Sequence, residues 1–327
     1  MEAKPLEQVT FDVDSLIQDH PPRWNDRNKR LVYEIACSSG FPFQGQMTYA
    51  RWPEEEPPAE ISTRQQFSVS AGVFEYSAPA ESAMIAWHLN FADPRLFVAY
   101  GSSLLAQDEL QVAEHPILGS VRESLNSTGK PPRTLDEHGR PTPITVTGVQ
   151  RRCAIDTLSN PAAGRPSGLY GNAFARASAE QVTSATKPLS PPTISNILAV
   201  AAPPGGYGEY SHEQITYILN AAYTGFSAAR RESERLVPAG SHTIIHTGFW
   251  GCGAFGGNRT LMTVLQALAA GLAAVDIVFW AFDKHGADLA ENARRQYNRL
   301  CDMTSSVSHL LDHLVQEKFP WGVSDGN

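Results

Sequence analysis

Residues 244–283 read IIHTGFWGCGAFGGNRTLMTVLQALAAGLAAVDIVFWAFD, and this stretch decides the fold class of the chain. An apolar run at Ile244–Ile245 leads into a turn that carries glycines at positions 248, 251, 253, 256 and 257. A second apolar run follows at Ile277–Phe282. Between them, apolar residues recur at the spacing of one buried helix face: Leu261, Val264, Leu265, Leu268 and Leu272. The stretch predicts a strand, a glycine loop, a helix and a second strand.

The glycine loop predicts a binding site for a phosphate or diphosphate. Glycines let the backbone approach a ligand closely, and a helix start points unpaired N–H groups and positive partial charge towards it. Trp250 and Phe255 lie in the loop and would provide a wall for a sugar or a base. A turn that serves only close packing is the alternative. The number of glycines, with the two aromatic residues beside them, favours the ligand site.

The same glycines also match the dinucleotide-binding fingerprint. Gly251, Gly253 and Gly256 have the G-x-G-x-x-G spacing, and Asp276 lies about twenty residues after the last of them. The fingerprint normally opens a doubly wound domain, whereas only about seventy residues follow it here. The position of the motif thus argues against a dinucleotide-binding domain. A nicotinamide-dependent oxidoreductase is kept as an alternative, and it requires an acidic residue that holds the ribose 2′-hydroxyl of NAD(H).

Composition and charge exclude several classes of protein. The 327 residues are 42% hydrophobic and carry a net charge of −8, which argues against nucleic-acid binding through bulk electrostatics. No apolar run has the length of a signal peptide core or a membrane span. Four cysteines suggest neither a disulfide framework nor paired zinc spacing: Cys37, Cys153, Cys252 and Cys301. We expect no metal, no cofactor, no membrane or nucleic-acid partner, and a cytoplasmic location, with secretion without a cleaved signal left open.

The order of predicted elements divides the chain into three parts. Residues 1–65 form an accessory segment with two short helices, 66–285 form the core, and 286–327 form a helical extension packed on the core. Within the core, apolar and smaller or polar residues alternate over 85–92, as in a strand with two different faces. A loop rich in Pro, Gly, Ser and Ala spans 159–192. Strands that alternate with helices predict an α/β sandwich with a largely parallel or mixed sheet.

A cluster of carboxylates is the second informative feature. Gln107, Asp108 and Glu109 open a short predicted helix, just after the small-residue turn Tyr100–Ser103. Acidic residues in a first helical turn often complement the helix dipole, so a purely structural role stays open at this point. Two carboxyls on consecutive residues also repel each other, which raises the pKa of one and keeps its proton available.

Several motifs together resemble the poly(ADP-ribose) glycohydrolase family. Trp250–Gly257 resembles the family's WGCGAFGG signature, Asn90–Asp93 its DFAN strand end, and Gln107–Glu109 its QEE element. Cys153–Asp156 and Leu219–Phe226 are similar to its IVAID strand and LNKAYCGF helix. The resemblance covers about residues 70–285. For these residues it implies a macrodomain-like three-layer α/β/α sandwich with a mixed central sheet. The apolar periodicity outside them predicts an N-terminal helical segment and C-terminal helices.

The same resemblance implies a site and a reaction. Glu109 would be the catalytic acid that protonates the leaving group and then activates water, while Asp108 would hold the ribose hydroxyls. Asp93 and Gln107 would help to bind the ligand, and Phe282 would line the adenine pocket, with Phe74 and Glu75 as weaker adenine contacts. The diphosphate and proximal ribose would be wrapped by the loop residues Gly251, Cys252, Gly253, Ala254, Phe255 and Gly256.

Departures from the family's pattern bear on the substrate. Tyr100 and Ser102 stand where the family has glycines, Asp108 replaces a glutamate, and Phe249 replaces an asparagine. We expect these changes to make the ribose end of the site narrower and less polar. A bacterial branch that removes single ADP-ribose groups from arginine, including arginine of ubiquitin, is the better analogue. The expected function is an ADP-ribosylhydrolase acting on mono-ADP-ribosyl-arginine; a non-catalytic ADP-ribose reader and a poly(ADP-ribose) glycohydrolase are the alternatives.

Overall fold

The computed structural model describes residues 3–38, 40–76, 83–237 and 240–326. In this part of the chain, eight strands form one sheet in the order β1-β2-β5-β6-β4-β7-β8-β3. The strands are β1 (Glu7–Asp12), β2 (Gln46–Arg51), β3 (Phe67–Ser70), β4 (Met84–Ala92), β5 (Ile144–Ile155), β6 (Thr186–Ala201), β7 (His242–Thr247) and β8 (Asp276–Trp280). Pairing from β1 to β6 is antiparallel and from β6 to β3 parallel, so the sheet is mixed as expected.

Helices cover both faces of this sheet. They are α1 (Val13–Asp19), α2 (Arg27–Cys37), α3 (Gln107–Glu114), α4 (Ile117–Ser127), α5 (Ala179–Ala185), α6 (His212–Leu236), α7 (Arg259–Ala273), α8 (Lys284–Met303) and α9 (Val307–Gln316). Leu198 and Val200 of β6 share a core with α6 to α9, whereas their neighbours Ile197 and Ala199 share one with α1, α3 and α4. Successive strand residues point to opposite faces. The predicted three-layer α/β/α sandwich is therefore confirmed.

The strand–loop–helix–strand unit of 244–283 is present as β7, the glycine loop, α7 and β8. Asn258 caps α7, with its side-chain oxygen accepting a hydrogen bond from the amide of Leu261 at 3.1 Å. The helix is buried nearly all round, from Leu261 to Ala273, because it lies between α6 and α8. This unit fixes where the glycine loop sits relative to the sheet.

The first fifty residues contribute more than the two predicted helices. Strands β1 and β2 extend the sheet at its antiparallel edge, and α1 and α2 pack beneath it. These two strands were not predicted from the residue pattern. The predicted loop at 159–192 is also interrupted, because it contains α5 and the beginning of the long strand β6.

One edge of the sheet collects the segments that carry the predicted chemistry. Strands β6, β4, β7, β8 and β3 are parallel, so their carboxyl ends meet at this edge. There β4 leads to Asp93 and the turn before α3, β7 leads to the glycine loop, and β8 leads to Phe282. Crevices at the carboxyl ends of strands are the usual ligand sites of open α/β sheets.

Candidate active site

Gln107 anchors the helix that carries the two carboxyls. Its side-chain oxygen accepts a hydrogen bond from the amide of Phe91 at 2.7 Å, and its side-chain nitrogen donates to the carbonyl of Leu89 at 2.9 Å. Both ends of the amide are therefore used to fix the start of α3 against β4. Gln107 was predicted to contact the ligand, whereas these contacts make it a residue that positions its neighbours.

Asp108 is buried beside Asn90 of β4. Its Oδ1 accepts a hydrogen bond from the Asn90 side-chain nitrogen at 3.0 Å, while the Asn90 oxygen has no partner within the described part of the chain. Burial, together with the negative charge of Glu109, raises the pKa of Asp108 to about 8. Asp108 is thus able to keep a proton at neutral pH.

Glu109 is equally buried, and its Oε2 has no hydrogen-bond partner among the described residues. Burial raises its pKa, whereas Lys29 and the backbone amides of Glu109 and Ala106 act in the opposite direction. Adjacent carboxyls of this kind titrate as a pair. Glu109 therefore keeps one carboxyl oxygen that is unpaired and desolvated, which favours the protonated form.

The glycine loop has two positions that only glycine occupies readily. Gly251 has φ 74° and Gly256 has φ 64°, both in the left-handed region. Gly253 does not share this conformation, and the three atoms nearest to the position of its missing Cβ all belong to the carboxylate of Asp325, the first of them at 3.2 Å. The loop therefore uses Gly251 and Gly256 for its turns and leaves Gly253 open for close approach by another group.

The aromatic residues of the loop differ in what they can contact. Trp250 was expected to wall a sugar or base, but this prediction is wrong: only 1% of it is exposed. Its indole nitrogen donates to the carbonyl of Val200 at 3.0 Å, so the ring belongs to the core. Phe255 is half-buried and Ala254 is exposed, so these two residues remain accessible from the loop side. Burial raises the pKa of the Cys252 thiol to about 12, which leaves it protonated and unreactive.

Residues 319–326, called the C-terminal strap below, cross the glycine loop. Gly322 donates its amide to the carbonyl of Gly256 at 2.8 Å, and Asn258 donates its side-chain amide to the carbonyl of Pro320 at 3.0 Å. The indole of Trp321 stacks on the ring of Tyr210, with centroids 4.0 Å apart. The strap thereby holds an acidic side chain, Asp325, against Gly253. This contact was not predicted from the sequence.

Tyr170 connects the carboxyl pair to the glycine loop. Burial, with the negative charges of Asp325 and Glu109, raises the pKa of this phenol to about 12, and the backbone of Gln107 donates a hydrogen bond to it. A group that is influenced by both Glu109 and Asp325 lies between α3 and the strap. The neighbouring residues make direct contacts on both sides: Leu105, just before α3, and Gly171 exchange backbone hydrogen bonds, and Asn172 donates to the carbonyl of Gly326 in the strap at 2.8 Å. Residues 170–172 therefore lie between the start of α3 and the strap that crosses the glycine loop. Tyr170 falls in the predicted loop of 159–192, where no periodicity marks single residues.

The remaining predicted residues line the same edge of the sheet. Phe282 is 46% exposed, has φ 61°, and its ring lies 6.0 Å from that of Tyr170. Phe74 is half-buried against Phe91, whereas Glu75 is exposed and its carbonyl is bonded to His88. Asp93 accepts a hydrogen bond from the amide of Arg95 at 2.8 Å, and its charge raises the pKa values of both Asp108 and Glu109.

Two departures that were expected to narrow the ribose end have other roles. The hydroxyl of Tyr100 accepts from the amide of Arg23 at 2.6 Å and donates to Glu123 at 2.9 Å, so its ring packs towards α4. Phe249 packs edge-on against Phe279, with centroids 5.1 Å apart. Both rings are occupied in packing, so the structure does not support the expected narrowing by these side chains.

The geometry also argues against the dinucleotide reading. Asp276 begins β8, and β8 is parallel to β7, which precedes the glycine loop. Asp276 therefore lies at the opposite edge of the sheet from the loop. There it accepts hydrogen bonds from the amide of Gln66 at 2.8 Å and from His242 at 2.5 Å. It has no access to a ribose held by the glycine loop.

Within 3–38, 40–76, 83–237 and 240–326, no group of three or more His, Cys, Asp or Glu side chains is arranged to hold a metal ion. In the same ranges, no helix has the length and apolar character needed to cross a membrane.

Comparison with known proteins gives one family match. Residues 170–288 match the family model described as poly(ADP-ribose) glycohydrolase, Macro domain fold. The matched range contains Tyr170, the glycine loop and Phe282, and it stops short of the carboxyl pair on α3. The glycine-loop half of the site thus carries the sequence pattern of a glycohydrolase family, and the mixed α/β sandwich is macrodomain-like.

Solved structures with similar folds include members of that family. Poly(ADP-ribose) glycohydrolase from Thermomonospora curvata is 16% identical, with a TM-score of 0.46 over 86% of this chain and 88% of that one. The same enzyme bound to the inhibitor ADP-HPD is 17% identical, with a TM-score of 0.45 over 71% and 78%. A mutant from Deinococcus radiodurans in complex with ADP-ribose is 14% identical, with a TM-score of 0.39 over 90% and 95%.

Proposed function

We propose that this protein hydrolyses the glycosidic bond between ADP-ribose and a modified protein side chain. The observation that carries the proposal is the buried carboxyl pair, Asp108 and Glu109, which lies at the same edge of the sheet as a glycine loop of the glycohydrolase type. The loop supplies backbone groups that suit a diphosphate, and the pair supplies a proton at neutral pH. Binding and chemistry are thus provided by different elements at one edge of the sheet.

Cleavage at the ribose anomeric carbon passes through an oxocarbenium-like state with positive charge on the sugar. An ionised carboxylate in the pair stabilises that charge, and a protonated carboxyl delivers its proton to the leaving group. In this proposal the transfer is made by Oε2 of Glu109, which has no hydrogen-bond partner among the described residues and is buried, so it must become accessible when the ligand binds. After the leaving group departs, the same oxygen accepts a proton from water and activates it. Asp108, fixed by Asn90, orients the ribose hydroxyls.

The preferred substrate in this proposal is a single ADP-ribose attached to arginine, with ubiquitin as one candidate carrier. Support for this choice comes from the resemblance to the arginine-specific branch and from the shorter side chain of Asp108. Activity on poly(ADP-ribose) is the competing function, and the matched family name favours it. A cytoplasmic setting for the modified protein belongs to the same proposal.

A panel of substrates tests the proposal directly. The protein is incubated with arginine-, serine- and glutamate-linked mono(ADP-ribose), with ADP-ribosylated ubiquitin and with the polymer, and released ADP-ribose is measured by mass spectrometry. We expect the fastest release from an arginine-linked mono-modified protein. Faster release from the polymer would support a poly(ADP-ribose) glycohydrolase instead. Binding of ADP-ribose without release from any substrate would identify a reader.

Turnover should depend on pH in a defined direction. The raised pKa values mean that the folded protein retains a carboxylic proton up to about pH 8, whereas an unperturbed Asp ionises near 3.8. We therefore expect kcat to fall as the pH rises above about 8, because the pair loses the proton that the leaving group needs. The measurement is a pH–rate profile, with circular dichroism at each pH to separate unfolding from titration. A rate that still increases at pH 10 would contradict an acid in this role.

The same shifts predict a stability effect of the same sign. A carboxyl whose pKa is raised in the folded state binds a proton that the unfolded chain has already released. Its contribution is fully present below the unfolded pKa and is lost as the pH rises through the folded one. For Asp108 this window runs from 3.8 to about 8. Denaturant titrations of the wild type across this window provide the check. We expect the contribution of this carboxyl to the free energy of unfolding to fall as the pH rises, and a contribution that does not fall would mean that the carboxyl is ionised throughout.

A further inference from the structure

Lys29 is a buried cation on α2, outside the elements that the resemblance assigns to the site. None of its surface is exposed, and its Nζ donates a hydrogen bond to the carbonyl of Tyr100 at 2.9 Å. The same nitrogen lies 5.8 Å from the ring centroid of Phe174. A buried ammonium costs free energy unless negative charge and hydrogen bonds compensate for it, so its surroundings must provide both.

The turn that receives this hydrogen bond leads directly into α3. The carbonyl of Gly101 accepts hydrogen bonds from the amides of Asn25 and Asp26, each at 3.0 Å. A Cβ at Gly101 would overlap the carbonyl of Arg23, so the two chain segments are in backbone contact. Residues 23–29 therefore hold the turn from which the carboxyl pair is presented.

Negative charge for Lys29 comes mainly from that pair. Burial lowers the pKa of Lys29 to about 8, and the carboxylates of Glu109, Asp108 and Asp26 oppose this shift in that order. The influence is mutual, because the charge of Lys29 lowers the pKa values of both Asp108 and Glu109. The three groups are electrostatically coupled inside a region from which water is largely excluded.

Other charged groups also lie near the pair. Asp93, which follows β4, raises the pKa values of both carboxyls. The negative charge of Asp108 acts to raise the pKa of Arg122 on α4, and that of Glu109 acts to raise the pKa of Tyr170. Lys29 is the cation whose charge favours the ionised form of both members of the pair.

We propose that Lys29 is a positioning residue for the carboxyl pair: its buried ammonium fixes the turn before α3 and places a positive charge on the side of α2 that faces the pair. This inference rests on the proposed function and names the part of the molecule that tunes it. Without the cation, the ionised form of the pair would lose a stabilising charge, so less carboxylate would face the developing positive charge of the ribose. Helix α2 thus helps to position the carboxyl pair.

The test compares Lys29→Met with Asn28→Ala. Methionine keeps an unbranched apolar stem and removes the charge. Asn28 is the matched control, because it is a buried neighbour on the same helix whose side chain donates to the carbonyls of Phe174 and Ala177, away from the pair. Loss of α2 packing alone would affect both variants in the same way.

We expect Lys29→Met to move the fall in kcat at alkaline pH to higher pH by about one unit or more, as removal of a nearby opposite charge does. Asn28→Ala should lower thermal stability and leave the profile in place. Lys29→Arg, which restores the charge, should return the profile towards that of the wild type. A Lys29→Met profile that superimposes on the wild type, or an equal shift in Asn28→Ala, would overturn the proposal.

A titration without substrate keeps the proposal independent of the reaction. Carboxyl carbons of Asp108 and Glu109 and the Lys29 Nζ are followed by NMR in the wild type between pH 4 and 11. Coupled titrations, in which each carboxyl curve shows a second step as Lys29 loses its proton, support the proposal. Independent single-step curves overturn it, even if Lys29→Met does not fold. Failure of the proposed function is a separate result, namely that the wild type releases ADP-ribose from no substrate.

Discussion

Glu109→Gln should lower kcat by about 10²–10⁴-fold, the range in which a positioned general acid or base contributes. The amide has the shape of the carboxyl but neither delivers nor accepts the proton. Affinity for ADP-ribose should stay within about tenfold, or about 1.4 kcal/mol, because the diphosphate contacts lie on the glycine loop. Single-turnover kinetics and calorimetry measure the two effects separately. A variant that turns over at the wild-type rate would mean that another group is the acid.

Two further variants make this result specific. Glu234→Gln is the control for the chemical change, because Glu234 lies on the exposed side of α6, where it pairs only with Arg230 of the same helix. Asp108→Ala should reduce both affinity and rate, since Asp108 is assigned to the ribose hydroxyls in the ground and transition states alike. It should also cost about 1–3 kcal/mol of stability, because the amide of Asn90 loses its buried partner.

Gly253→Val should reduce ADP-ribose affinity by at least about 100-fold, which corresponds to about 2.7 kcal/mol. A branched side chain at this position would occupy the space through which a diphosphate approaches the backbone. The fold should tolerate the change, because Gly253 lacks the left-handed conformation of Gly251 and Gly256 and the atoms nearest to its Cβ position belong to the Asp325 carboxylate. Calorimetry measures the affinity, and thermal denaturation checks the fold.

Gly253→Ala provides a graded comparison, since a single methyl group should cause an intermediate loss. Substitution of Gly251 or Gly256 would be less informative, because their positive φ would add backbone strain to any effect on the ligand. Normal binding by a folded Gly253→Val protein would remove the loop from the proposed site.

The sequence predicted the elements whose signals are local. The unit of β7, the glycine loop, α7 and β8 followed from two apolar runs, clustered glycines and one helical periodicity. Strand β4 followed from alternation over 85–92, because each face of it meets a different core. These patterns are set by neighbours along the chain, so they are visible without the tertiary structure.

Elements that depend on distant partners were missed. The first part of strand β6, which falls in the predicted loop of 159–192, was missed. It contains Pro188, Pro191 and Pro192, which argue against a strand, yet it pairs with β5 through a register that is irregular near Arg151–Cys153. The short β1 exists because β2 pairs with it. Lysine usually lies on the solvent side of a helix, whereas Lys29 is buried and interacts with carboxylates some eighty residues away in sequence. The same holds for Tyr170 and the C-terminal strap, whose contacts with the site come from residues distant in sequence.

The C-terminal strap gives the site a tethered competitor. Its attachment to the chain keeps Asp325 near Gly253 at an effective concentration that short tethers commonly raise to the millimolar range. A ligand that binds the loop must displace the strap, so the measured dissociation constant equals the intrinsic one divided by the fraction of molecules in which the strap is open. Removing residues 320–327 should therefore tighten ADP-ribose binding by the reciprocal of that fraction. The apparent affinity of the full chain thus reports the balance between two anions for one loop.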